Sequence, residues 1–201
     1  MAYVLINHGW TNQRPSEHWQ RLTAVALRRQ GHQVFYPAYP NTMEPNFADW
    51  SWLLLNELDI MQQTRGQDTD EVIVIGHSLA NVLWLRAATD GLLPQSFKPD
   101  RLLMVAPPER ADLAELPSFT IAQSDAQIAS ALNASAASVT LLGSDNDPWS
   151  PNGLQKAIGD PLGLQAIIIP GAKHLSHKDG WGKWQGLVNW VNDPAADITQ
   201  R

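Results

Sequence analysis

Short, continuous apolar runs punctuate this chain, and each stops at or near turn-forming residues. The runs are residues 3–6, 71–75, 101–105, 138–142 and 165–169, with a weaker one at 33–36. They are rich in Val, Ile, Leu and Tyr and are followed closely by Gly, Pro or Asn. A run that lacks polar alternation suits a strand covered on both faces, as in a parallel sheet. Helical patterns fill the gaps. Residues 17–30 carry Trp19, Leu22, Val25, Ala26 and Leu27, with Gly31 as a stop. Residues 47–61 carry Trp50, Leu53, Leu54 and Leu58. Further helices are expected over 79–88, 151–158 and 181–191. Strands alternating with helices form βαβ units, whose right-handed crossovers put helices on both faces. The expected fold is α/β: a three-layer α/β/α sandwich around a mostly parallel sheet of about six strands.

One stretch departs from the pattern. Residues 107–137 are rich in Ala, Ser, Pro and Asp with poor periodicity, and read as a loop followed by a short helix over 125–132. A chain of 201 residues is long enough for one domain with a substantial core. Residues 1–192 are expected to form that domain, and the polar tail 193–201 to fray.

Composition removes several functions. The net charge is −6 and no long Lys/Arg run occurs, which argues against a nucleic-acid surface. The absence of Cys excludes disulfides, thiolate metal sites and a Cys nucleophile, and fits a reducing compartment. No basic segment precedes the first apolar run, and no stretch approaches the ~18 apolar residues of a membrane span. The expected location is the cytoplasm, with no cofactor or metal.

The chemistry gathers where the apolar runs end. Gly76-His77-Ser78-Leu79-Ala80 follows the run 71–75 and precedes a helical stretch. That is the strand–turn–helix setting of a nucleophile elbow, which lifts a Ser hydroxyl above the sheet edge at a helix N-terminus. The backbones pass closely there, so small residues are needed two before and two after Ser78. Gly76 and Ala80 occupy those positions.

An elbow Ser requires a base, and the base requires an acid that orients it. After the run 138–142 comes Gly143-Ser144-Asp145-Asn146-Asp147-Pro148. Asp147 is the preferred acid and Asp145 its competitor; an ordinary polar turn is the plain alternative. After the last run comes Pro170-Gly171-Ala172-Lys173-His174. His174 is the preferred base by its distance from the strand end, with His177 as competitor. His18 and His32 read as residues on or near a surface helix, and His77 as a packing residue. Asn7-His8-Gly9-Trp10 follows the first run, and a loop there can present one amide to a developing oxyanion. The expected donors are the backbone N–H groups of Trp10 and Leu79. The nine Trp residues are many for this length. Trp10, Trp149 and Trp181 neighbour these loops, and each either lines a substrate pocket or fills the core.

With these motifs in order, the sequence resembles the small serine hydrolase family related to retinoblastoma-binding protein nine. The resemblance runs over nearly the whole chain. It rests on His8-Gly9-Trp10, Trp19, the Pro37/Pro40/Pro45 segment before Trp50, Gly76-His77-Ser78-Leu79, Ser144-x-x-Asp147-Pro148 and His174. It implies a compact α/β-hydrolase core with little or no lid and a Ser-His-Asp triad. Two departures stand out: Ala80 where Gly is common, and Lys173 before the base, where a cation would disfavour imidazole protonation unless it points away. The expected activity is hydrolysis of a small-molecule carboxylic ester through an acyl-enzyme. The alternatives are a protein-binding module with little turnover, or an acyltransferase or thioesterase using the same residues. The short, Ala- and Ser-rich stretch 107–137 predicts a shallow site suited to short acyl groups.

Overall fold

In a computed structural model, the structure describes residues 1–66, 69–94 and 96–201. The strands are β1 (Ala2–Asn7), β2 (Gln33–Phe35), β3 (Glu71–His77), β4 (Arg101–Val105), β5 (Ser138–Ser144) and β6 (Ala166–Ile169). They form one six-stranded sheet in the order β2-β1-β3-β4-β5-β6. Every neighbouring pair is parallel. The helices are α1 (Trp19–Arg29), α2 (Phe47–Thr64), α3 (Leu79–Thr89), α4 (Asp125–Ser135), α5 (Asp160–Leu162) and α6 (Gln185–Asn192).

The period of two along each strand creates the layers. Tyr3 and Leu5, Val72 and Val74, and Leu102 and Met104 face α2, α3 and α4, in a core that includes Trp50, Leu54, Leu83 and Leu132. Val4 and Ile6, Ile73 and Ile75, and Leu103 and Val105 point the other way, against Trp19 and Leu27 of α1 and Leu187 and Val191 of α6. Because all strands are parallel, their C-terminal ends share one edge, and the loops following β1, β3, β4, β5 and β6 emerge there together.

Several boundaries differ from the sequence reading. The helix expected over 151–158 gives way to a turn at Pro151, a π-helical turn Gln155–Gly159 and the short α5. Gly153 is responsible: its φ of +86° is left-handed and interrupts the helix. The last helix begins at Gln185 rather than 181. The tail, expected to fray, packs back instead. Ile198 is buried in the second core, its carbonyl accepts from Trp184 Nε1 at 2.7 Å, and the Gln200 carbonyl accepts from Gly186 N at 2.8 Å. A Cβ at position 186 would lie 2.5 Å from that oxygen, so glycine permits the approach. Within 107–137, the expected loop contains two 3-10 turns, Arg110–Leu113 and Pro117–Phe119, and α4 runs three residues past its expected end to Ser135.

Candidate active site

Ser78 sits between the end of β3 and the start of α3, with φ 56° and ψ −125°. A non-glycine residue held there stores strain of order 1–3 kcal/mol, and persists only where its surroundings fix it. Here Ser78 N–H donates to Val105 O at 3.0 Å and Asn81 N–H donates to Ser78 O at 2.9 Å. The need for glycine two residues earlier is steric. A Cβ on Gly76 would lie 2.6 Å from Asn81 Oδ1, and Asn81 cannot readily move because its Nδ2 donates to Val105 O at 2.8 Å. Ala80 is buried, so the turn accommodates its methyl.

Loops from two further strands reach the Ser78 hydroxyl. His174 Nε2 is 2.8 Å from Ser78 Oγ. On the other side of the ring, His174 Nδ1 is 2.9 and 2.8 Å from the two carboxylate oxygens of Asp147. A carboxylate facing Nδ1 requires a proton there, which leaves Nε2 free to accept from the Ser hydroxyl. The competitors do not make these contacts. Asp145 accepts from Gly171 N at 2.7 Å, and Asn146 Oδ1 accepts from Lys173 N at 2.7 Å. Together they lash the loop that carries His174 to the loop that carries Asp147. His177 lies in a 3-10 turn with its ring 5.6 Å from that of His18. Lys173 is exposed.

The loop after β1 passes over Ser78 at contact distance. A Cβ on Gly9 would meet Ser78 Cβ at 2.7 Å and Ser78 Oγ at 3.2 Å, so the weak His-Gly signal has a steric cause. His8 fixes this loop: its Nδ1–H donates to Gly9 O at 3.0 Å, and its Nε2 accepts from Tyr39 N at 3.0 Å. Among the described residues, no acceptor takes the amide hydrogens of Trp10 or Leu79. The Leu79 amide also opens α3, where a helix presents its unpaired donors.

Residues 4–192 match the family described as serine hydrolase. The chain belongs to the serine hydrolase family. Similar solved structures include the ydeN gene product from B. subtilis, at 20% identity over 96% of this chain and 97% of that one, with a TM-score of 0.75. A putative YdeN-like hydrolase from Pectobacterium atrosepticum has 17% identity, coverage of 94% and 89%, and a TM-score of 0.66. The esterase domain of a Rhodothermus marinus protein has 17% identity, coverage of 94% and 86%, and a TM-score of 0.62. At these identities the likeness speaks for an α/β-hydrolase fold. No curated protein matches the sequence.

In this serine hydrolase, histidines gather beside His174 in a way the sequence did not disclose. His18, expected near the surface, is buried as the N-cap of α1, with Nδ1 accepting from Gln20 N at 3.2 Å. Its ring lies 5.8 Å from that of His77, which lies 5.1 Å from that of His174. His77 Nε2–H donates to the His174 carbonyl at 2.9 Å, so this buried ring supports the backbone of its neighbour as well as packing. Burial, and then the neighbouring histidines, lower the pKa of His18 to about 3 and that of His77 well below its ordinary value. Burial, only partly opposed by the bond to Gly9 O, lowers that of His8 to about 4. All three imidazoles are therefore neutral near pH 7.

A cavity of about 440 Å³ opens beside Ser78. Trp10 and Trp149, with ring centroids 6.0 Å apart, line it together with Leu113, at the end of the first 3-10 turn, and Leu116, just before the second. The short 107–137 connection thus contributes apolar side chains to the lining of this cavity. Trp181 does not reach it. That ring is buried in the second core 5.0 Å from Trp184, with its N–H donating to Ala172 O at 3.1 Å. The displaced start of α6 leaves Trp181 in a loop that turns inward. Among the described residues, no group of three or more His, Asp or Glu side chains is placed to hold a metal ion, and no helix is long and apolar enough to cross a membrane.

Proposed function

We propose that this serine hydrolase cleaves small carboxylic esters through a Ser78-His174-Asp147 triad and an acyl-enzyme intermediate. The observation that carries the proposal is the unbroken hydrogen-bonded path from Ser78 Oγ through His174 to the Asp147 carboxylate. In acylation, Ser78 Oγ attacks the ester carbonyl and its proton passes to His174 Nε2. Asp147 stabilises the resulting imidazolium and holds its orientation. The carbonyl oxygen becomes an oxyanion, for which the Trp10 and Leu79 amides are the available donors. The tetrahedral intermediate collapses, His174 returns the proton to the departing alkoxide, and the alcohol leaves. Water then repeats the sequence on the acyl-enzyme, with His174 taking its proton, and the carboxylic acid is released.

Trp10 and Trp149 form the side of the site available to an acyl group, and Trp181 is withdrawn from that role. The Ser144-x-x-Asp147-Pro148 element supports a place in the group related to retinoblastoma-binding protein nine, and the cysteine-free composition suits the cytoplasm.

A fluorophosphonate probe tests the proposal. Wild type should be labelled and Ser78→Ala unlabelled, with turnover of a short p-nitrophenyl ester falling by a factor on the order of 10⁴–10⁶. Labelling that persists in Ser78→Ala would overturn the assignment. A wild type that is neither labelled nor active would favour a binding module on a hydrolase scaffold.

A further inference from the structure

Behind Asp147 lies a buried carboxylate that this reaction does not use. Glu109 is 7% exposed and follows Pro107 and Pro108 just beyond β4. Among the described residues no cation forms an ion pair with it. Removing a carboxylate from water is costly unless donors replace the water. Here all the donors come from one turn. Asn152 N–H donates to Oε1 at 2.7 Å, Asn152 Nδ2 to Oε2 at 2.8 Å, and the Ser150 hydroxyl to Oε1 at 3.4 Å. In the reverse direction, Glu109 N–H donates to Trp149 O at 2.8 Å.

The turn gripped in this way is also the one that sets Asp147. Trp149 N–H donates to Asp147 Oδ1 at 2.9 Å, and Ser150 N–H donates to Asp147 O at 3.1 Å. Asp147 Oδ1 is one of the two oxygens facing His174 Nδ1. An uninterrupted path therefore leads from Glu109 through the 149–152 turn to the acid and the base. A carboxylate suits this position because both of its oxygens accept. Glutamine offers one acceptor and turns an NH₂ toward a donor.

We propose that Glu109 is a positioning residue for the reaction, holding the 149–152 turn so that the Trp149 amide aims the Asp147 carboxylate at His174. The inference rests on the triad reading above. If Glu109 merely stabilised the fold, its removal would lower the melting temperature and leave the chemistry of the folded fraction alone. If it positions Asp147, the base itself responds.

Glu109→Ala should lower kcat and the fluorophosphonate labelling rate roughly tenfold to a hundredfold, the usual penalty for a small misplacement. KM should change little. The acidic limb of the kcat/KM profile should move to lower pH, because a loosened carboxylate stabilises the imidazolium less. Glu109→Gln should recover part of both effects. In an Asp147→Asn background, Glu109→Ala should cost almost nothing further, since residues acting through one another are not additive. Equal losses in the two backgrounds would overturn the proposal, as would an unmoved pH limb. If Glu109→Ala does not fold, the pH limb of Glu109→Gln decides on its own. Failure here is distinguishable from failure of the triad reading, because in this case Ser78→Ala would still abolish labelling.

Discussion

The two sides of the cavity are built by different physics. On one side stand Ser78, His174, Asp147 and the buried imidazoles of His18 and His77. Directional hydrogen bonds and strained backbone at the sheet's C-terminal edge hold them, and distances near 2.8 Å set the outcome. On the other side stand Trp10, Trp149, Leu113 and Leu116, held mainly by apolar packing; Trp149 is 37% exposed. A hydrogen-bonded array loses its function when one donor or acceptor changes. A packed wall gives up only part of its contact area. The first side should therefore respond steeply to small changes, and the second gently.

The steepest contrast lies within one loop. Asp147→Asn should reduce ester turnover by roughly 10³–10⁴, because the amide cannot hold the required tautomer of His174. Asp145→Asn, which keeps an acceptor for Gly171 N–H, should cost less than about tenfold. Steady-state kinetics on both variants, with circular dichroism to confirm folding, decides between them. Equal losses would mean that the bond from Asp145 to Gly171 matters as much as the triad contact.

Gly9→Ala comes next. Its methyl must displace Ser78 or the loop bearing the Trp10 amide, and one lost oxyanion donor typically costs about 10²–10³ in kcat. Gly9 is buried and its added methyl overpacks the contact with Ser78, so the melting temperature should fall as well, and kcat is read on the folded fraction. A variant of near-normal kcat would remove the loop after β1 from the mechanism.

Acid stability probes the imidazoles. Unfolded histidine titrates near 6.5, whereas burial holds folded His8 at about 4 and His18 at about 3. Below pH 6.5 the unfolded chain binds more protons, so stability is lost as pH falls. The loss should approach ~1.4 kcal/mol per pH unit per group, down to about pH 4 for His8 and pH 3 for His18. His18→Asn keeps the helix-capping acceptor and should make this slope shallower. Urea unfolding of both proteins between pH 7 and 4.5 measures it, and identical slopes would show that His18 titrates normally.

The apolar side should give the smallest effect. Each buried methylene is worth roughly 0.8 kcal/mol. Trp149 is partly exposed and the 107–137 connection that supplies the rest of the wall is short, so acyl groups of about two to six carbons should be preferred. Trp149→Ala should lower kcat/KM only a few-fold, more for hexanoate than for acetate. A chain-length optimum at ten carbons or more would mean that Leu113 and Leu116 yield to a deeper channel.

The sequence alone determined the sheet and where its candidate site residues stand. Val4, Ile73 and Leu103 sit in contiguous apolar runs because strands covered on both faces favour apolar residues at successive positions. Each chemical motif directly follows such a run, so Ser78, Asp147 and His174 could be named from local spacing, and the structure brings those side chains together. Glu109 also stood close behind a strand end, and that was its one available signal. Other features depended on contacts distant in the chain. His18 and His77 meet only when α1 packs against the sheet, and nothing local separates a buried capping histidine from an exposed one. Trp149 and Trp181 both follow motif loops, yet one lines the cavity and the other fills the core, because the start of α6 decides which way its loop turns. Asp145 and Asp147 are near-identical in composition and context. Only the position of Gly171 and His174 across the neighbouring loop makes one a latch and the other the partner of the His174 ring. The tail was polar enough to read as frayed, and it packs because Gly186 leaves room for its backbone. Periodicity is a property of neighbours in sequence, so the sequence displays it directly; hydrogen-bond partnership and burial depend on which distant segment arrives, and only tertiary structure supplies that.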